Sequence, residues 1–146
     1  MPKFMKMLNN ISRSQAIYRQ KRISAPDLQP SQYAFVLTVC QAPGSSQEEI
    51  ARELCLNKST VARSITALEE NGYIKRELLQ NDKRQFAVYP SEKMLAALPE
   101  VKAASSEWMA LLSEDIAPDE LSVFNSVLER MQRKAREITK KQDDGK

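Results

Sequence analysis

The chain has 146 residues, with 22 lysines and arginines against 19 aspartates and glutamates and a net charge of +3. That length suits one compact domain or one subunit of an intimate oligomer, and so small a charge permits nucleic-acid binding without demanding it. Histidine is absent, which removes the commonest zinc ligand and general base, so neither an enzyme nor a metal or cofactor site is expected.

The first segment, Lys3 to Ile23, lacks proline and glycine and places Phe4, Leu8, Ile11 and Tyr18 at helical spacing. Met5, Met7 and Ile17 broaden its apolar side beyond what one core contact requires, which points to a second partner. After a loop from Ser24 to Gln29, Pro30 suits a first helical turn, and Tyr33, Val36, Leu37 and Cys40 follow on one face until Pro43-Gly44. Cys40 reads there as a small hydrophobe.

Ser46 followed three residues later by Glu49 has the spacing of a capping box, and Ile50 and Leu54 behind it repeat as a helix with one buried face. Asn57 is a good N-cap for a second helix, in which Val61, Ile65 and Leu68 form an apolar stripe and Gly72 a stop. The opposite face carries Ser59, Thr60, Arg63, Ser64 and Ala67. Short hydroxyls and one arginine suit a helix that enters the major groove, where arginine can bond a guanine edge in bidentate fashion.

Tyr73 to Gln80 and Gln85 to Tyr89 are short β-prone runs around Asn81-Asp82-Lys83-Arg84, which reads as a hairpin with a basic tip. A narrow minor groove concentrates negative potential, so Arg84 at such a tip is suited to enter it, with Asp82 near enough to orient the guanidinium. Amphipathic helix pairs are usually only core, and charged hairpin tips usually only solvated. The order and spacing of these pieces within one segment favour the DNA reading.

From Ser91 to Ser113 the helical pattern returns with Leu95, Leu98, Trp108 and Leu112, and Pro99 inside it predicts a kink or restart. Pro118 opens the last helix, in which Leu121, Phe124, Leu128, Met131, Ala135 and Ile138 alternate in spacings of three and four. That is a heptad seam that wants another helix. The tail from Lys140 to Lys146 is expected to fray. Apolar surface in excess at both ends predicts a homodimer, whose two-fold symmetry would set two recognition helices about one DNA turn, ~34–36 Å, apart. No apolar run near the N-terminus suits a signal peptide or membrane span, and two cysteines make no disulfide framework, so a cytoplasmic protein with no membrane partner is expected.

The sequence resembles the MarR family of winged helix-turn-helix transcriptional regulators. The resemblance rests on Ile50-Ala51, Leu54, the run Lys58-Ser59-Thr60-Val61-Ala62-Arg63, Leu68-Glu69, Asn71-Gly72-Tyr73-Ile74-Lys75-Arg76 and the wing Asn81-Asp82-Lys83-Arg84. Pro90-Ser91-Glu92-Lys93 sits where that family usually has Leu-Thr-Glu-Lys. The resemblance implies a mainly α fold with a small β-hairpin wing, residues 30–90 forming the winged helix-turn-helix lobe and residues 1–29 and 91–146 the dimerisation helices of a single domain. It implies that Ser59, Thr60 and Arg63 face bases, and that Arg84 enters the minor groove anchored by Asp82. Ser64 joins the major-groove set, and Lys58 and Lys83 are the phosphate candidates. One departure is Cys55, where the turn commonly has glycine.

The expected function is a dimeric repressor of a pseudo-palindromic operator on double-stranded DNA. Family members often bind small aromatic or phenolic anions between the dimer helices and the DNA-binding lobe, for which Arg13 and Tyr33 are the candidate cation and aromatic wall. Two alternatives stay open: a thiol-oxidation sensor of the same fold with Cys55 as its redox residue, and a winged-helix module that binds protein partners without specific DNA.

Overall fold

The computed structural model describes residues 2–79, 81 and 84–144, the side chains of Pro2, Asp143 and Asp144 excepted. In chain order the elements are α1 (Pro2–Arg22), a 3-10 turn (Pro30–Gln32), α2 (Tyr33–Gln41), β1 (Ser45–Ser46), α3 (Gln47–Leu54), α4 (Lys58–Glu70), β2 (Ile74–Leu78), β3 (Phe86–Pro90), α5 (Glu92–Leu112) and α6 (Pro118–Asp144). The fold is thus mainly helical with a small antiparallel sheet, ordered β1-β3-β2. Two compact units are separable, Met1–Trp108 and Met109–Lys146. Among the described residues no helix is long and apolar enough to cross a membrane.

The core of the first unit gathers Val36 and Val39 from α2, Ile50 from α3, Val61, Ile65 and Leu68 from α4, Val88 from β3, and Met94 and Val101 from α5. Each such side chain contributes about 1.5–3 kcal/mol over its exposed state. The α4 stripe at i, i+4 and i+7 is the one the sequence predicts, and α3 and α4 pack through it. Cys40 is half-buried beside this core, and burial pushes its thiol pKa up. The hairpin pairs Ile74 with Pro90 through to Leu78 with Phe86, while the two-residue β1 adds Ser45 against Val88 and Ser46 against Ala87.

Helix α1 meets α5 through a set of polar contacts and one pair of rings. Arg22 meets the Glu107 carboxylate with two bonds of 2.8 and 3.0 Å, and the Tyr18 hydroxyl donates to the same carboxylate at 3.2 Å. The Tyr18 and Trp108 rings stand 5.5 Å apart, and Arg19 donates to Ser105 at 3.2 Å. The Arg22 guanidinium holds the Glu107 carboxyl below the usual carboxylate range.

The two C-terminal helices differ in detail from the expectation. Helix α5 runs from Glu92 to Leu112 with Pro99 inside it, so of the kink or restart expected there the restart does not occur. Pro99 is exposed, as is Leu95 one turn earlier, whose carbonyl loses its helical donor, so water can take that bond. The core-facing residues of α5 are Met94, Val101 and Ala104, while Leu95 and Leu112 are exposed, because the helix is apolar on several sides and leucines alone do not set its phase. Past Lys140, α6 continues to Asp144.

The α3–α4 turn explains the departure at Cys55. Leu56 N–H bonds Ala51 C=O at 3.0 Å and Cys55 N–H bonds Arg52 C=O at 3.3 Å, the paired bonds of a Schellman motif. That motif needs a left-handed residue, and Cys55 has φ +54° and ψ +42°, the one non-glycine residue with positive φ among those described. At the end of α4 the same motif recurs, with Tyr73 N–H on Leu68 C=O at 2.8 Å and Gly72 N–H on Glu69 C=O at 3.0 Å, and there glycine takes the left-handed position. Replacing Cys55→Gly is expected to stabilise the fold by about 1 kcal/mol, seen as a melting temperature a few degrees higher. Cys55→Ala serves as the control: an equal rise with alanine would assign the effect to loss of the thiol and not to backbone strain.

Candidate nucleic-acid interface

Helix α4 is set at its start by a local bond. The Asn57 side-chain oxygen accepts the Thr60 N–H at 2.7 Å, with Asn57 in the extended conformation an N-cap requires. Ser46 caps α3 in the same way, accepting the Glu49 N–H at 3.1 Å, while its hydroxyl meets the Glu49 carboxylate at 3.2 Å. With Val61, Ile65 and Leu68 buried, the outward face of α4 follows from the helical period.

Ser59 and Arg63 are exposed on that face, and Thr60 and Ser64 lie at its half-buried flank. Arg63 Nη2 reaches the Thr60 hydroxyl at 3.4 Å, so the guanidinium leans along the helix toward the capped end. Ala62 and Thr66 are also exposed and share the stripe with Arg63. The sequence reading left both out, although Thr66 stands three residues after Arg63 at the same helical spacing. Lys58, with 80% of its side chain exposed, lies 3.6 Å from the Glu48 carboxylate. Gln85 Nε2 donates to the other oxygen of Glu48 at 3.4 Å, so the start of α4 and the base of the wing meet at one carboxylate.

Arg84 lies exposed in the turn between β2 and β3. Asp82 and Lys83, named from the sequence as wing anchor and phosphate contact, lie outside the described residues. What fixes the wing against α4 is Arg76 of β2, whose guanidinium grips Glu69 with bonds of 3.1 and 2.8 Å and sits 5.3 Å above the Phe86 ring. Glu69 is therefore engaged in holding the hairpin, whereas Glu70 is exposed at the C-terminal end of the helix. The structure thus brings Lys58, Ser59, Thr60, Arg63 and Ser64 onto one helix, with Arg84 on the hairpin strapped to that helix's far end. Among the described residues no group of three metal-ligating side chains comes together.

The two ligand candidates are not brought together. Arg13 is exposed on α1, while Tyr33 is buried at the start of α2. The cation that faces Tyr33 is Arg19, half-buried, with its guanidinium pKa lowered by burial. Tyr33 lines a cavity of about 390 Å³ walled by the end of α1 and the following loop. Cys55 is exposed, and its Sγ faces the Arg52 carbonyl at 3.8 Å.

Comparison with known proteins converges on this lobe. The model of the MarR family matches residues 28–86. The transcriptional regulator HosA of Escherichia coli O157:H7 is 31% identical over 94 residues, covering 62% of this chain and 70% of that protein. The crystal structure of a MarR transcriptional regulator from Methanosarcina mazei superposes with a TM-score of 0.83 at 28% identity, over 94% of this chain and 99% of that one. A putative MarR family regulator from Listeria monocytogenes, solved in complex with a 26mer DNA, shares the fold at a TM-score of 0.81 and 18% identity, over 93% of this chain and 88% of that one.

The Arg76 guanidinium holds the Glu69 carboxyl below the usual carboxylate range. A carboxyl depressed in the folded state adds stability above its unfolded pKa of about 4.3, and that stability is lost as pH falls through the lower folded value. Glu69→Gln is expected to flatten the loss of stability between about pH 5 and pH 3, measured by urea unfolding at stepped pH. An unchanged slope would show that Glu69 is not anchored in solution.

Proposed function

The chain belongs to the MarR family of DNA-binding transcriptional regulators, and from that premise we propose that it is a homodimeric repressor of a pseudo-palindromic operator, released by a small aromatic or phenolic anion. The family regulates transcription and is not a family of enzymes. The observation that carries the reading is α4 itself: a capped helix whose outward face bears hydroxyls and one arginine, with a hairpin strapped to its far end by Arg76 and Glu69. On this reading Ser59, Thr60, Arg63 and Ser64 meet base edges, Lys58 and Lys83 meet phosphates, and Arg84, anchored by Asp82, enters the minor groove.

Residues 30–90 act as the reading lobe, and residues 1–29 and 91–146 as the dimerisation segments. Most of the exposed large apolar side chains among the described residues lie on α1, as Met5, Met7, Ile11 and Ile17, or from Met109 onward, where Val123 is 65% and Phe124 50% exposed. Leu121 and Leu128 of α6 are half-buried, while Phe124, Met131 and Ile138 of the same seam stand in solvent. Surface of that kind is covered in functional assemblies, and a second copy is the partner that two-fold operators require. The anion would occupy the cavity at Tyr33. Work on DNA places the protein in the cytoplasm.

Selection from a randomised duplex pool, followed by fluorescence anisotropy with excess nonspecific competitor, is expected to yield a palindromic site bound at ~10⁻⁸ M or tighter. Arg63→Ala is expected to weaken that site by about 1–3 kcal/mol and to relax preference at one position per half-site, whereas Lys83→Met weakens all sequences alike. Equal losses on all sequences for both variants would remove the division between base and phosphate contacts. Absence of any selected site would leave the lobe as a module for protein partners.

The dimer has its own test. Phe124→Asp places a charge on the exposed seam and is expected to shift the mass measured by light scattering from dimer to monomer, with loss of the selected site. A parent protein already monomeric at micromolar concentration would overturn it.

A further inference from the structure

The connection between α1 and α2 has two sides. On one, Ser24, Ala25, Pro26 and Leu28 wall the cavity of about 390 Å³ that Tyr33 also lines. On the other, Asp27 reaches the recognition helix. Its carboxylate accepts the hydroxyl of buried Tyr73 through Oδ1 and pairs with Lys93 through Oδ2. Its backbone carbonyl stands 3.5 Å from the Asn71 side-chain nitrogen.

Lys93 closes the arrangement. Its ammonium donates to the Asn71 carbonyl at 2.7 Å, where α4 ends, and sits 4.4 Å over the Tyr73 ring. A cation there also meets the negative end of the helix dipole. Ser91, two residues before it, donates to the Gly72 carbonyl at 2.6 Å and caps α5 by accepting the Met94 N–H at 3.2 Å. The C-terminal end of α4, the start of β2 and the first turn of α5 therefore converge on Asp27, the first at its backbone carbonyl and the other two at its carboxylate.

A turn joins the two sides of the loop. Leu28 N–H bonds the Ala25 carbonyl at 3.0 Å, closing a turn with Pro26 and Asp27 as its central residues. Pro26, on the cavity wall, and Asp27, facing the end of α4, are thus adjacent residues of one hydrogen-bonded turn.

We propose that Asp27 is a positioning residue for operator binding, which holds the end of the recognition helix in register and transmits to it any displacement of the cavity wall. This rests on the DNA-reading function and names the route by which the cavity regulates it. The loss of Asp27 leaves the Tyr73 hydroxyl and the Lys93 ammonium without their shared acceptor. Two half-sites about one DNA turn apart cannot both be met if the helix ends shift.

The test is a cycle of variants on the full-length protein, read by anisotropy on the selected duplex and on an unrelated one, with melting temperatures alongside. Asp27→Asn is expected to weaken the selected duplex by about tenfold or more while leaving the unrelated duplex nearly unchanged. Tyr73→Phe, which removes only a hydroxyl, should lose part of the same affinity. Ala25→Phe fills the cavity in place of a ligand: it is expected to weaken the selected duplex in the parent and to add little in the Asp27→Asn background. Parent-like binding by Asp27→Asn overturns the proposal, as do losses by Asp27→Asn and Ala25→Phe that multiply independently. Should Ala25→Phe not fold, a parent-like Tyr73→Phe together with a loss by Asp27→Asn equal on both duplexes overturns it too. A parent that does not distinguish the two duplexes removes the DNA-reading premise itself, a result separable from every variant outcome.

Discussion

The structure depends on holding one helix still while leaving its outer face unpaired. Helix α4 has little to hold it on that face, since short hydroxyls and a single arginine bury little there. It is fixed instead by its stripe of Val61, Ile65 and Leu68, and by what happens at its two ends. At the start Asn57 satisfies the Thr60 N–H; at the finish Gly72 turns the chain left-handed and Lys93 covers the Asn71 carbonyl. Helix termini leave backbone groups unsatisfied, and here those groups are the fastening points for the neighbouring elements.

The two Schellman turns bracket the trade between strain and shape. Both α3 and α4 stop in the same way, yet one uses glycine and the other Cys55. A left-handed cysteine persists because the surrounding structure over-determines it: Ile50 and Val61, on the helices either side, are both core residues, and Asn57 must follow at once to cap α4. The exposed thiol is thus a by-product of where the chain must turn as much as a candidate for chemistry. Cys40, the chain's other thiol, packs against the core.

What the sequence made legible is what is local. Ser46, Asn57 and Gly72 announce helix ends because their bonds span three to five residues, and the α4 stripe is legible because one period accounts for it. The face of α5 was not, since Leu95 and Leu112 look as good as Met94 and Val101 until the packing partners are known. Strand β1 is two residues long and exists only through its pairing with β3, some forty residues away. The same distance in sequence hid the contacts that matter most for the site. Glu69 reads as an acidic residue at a helix end, and only the hairpin's return shows that Arg76 neutralises it. Asp27, the sole acidic residue of the first 46, reads as loop decoration until Tyr73 and Lys93 arrive.

On the proposed reading, these long-range contacts explain how a small, weakly charged chain presents a basic surface to DNA. With a net charge of only +3, DNA affinity cannot come from bulk electrostatics and must come from where the charges stand. Two acidic groups near α4 are taken out of the way: Glu69 by Arg76 and Glu48 by Lys58 and Gln85. The two arrangements differ in kind. Arg76 and Glu69 form a half-shielded bidentate pair that persists as structure, whereas Lys58 and Glu48 stand in solvent at 3.6 Å, an exposed pair worth little. On the proposed reading, a phosphate approaching the start of α4 competes with a carboxylate that gives way easily, while the wing's anchor at the other end stays closed. That reading gives recognition and rigidity to opposite ends of the same helix.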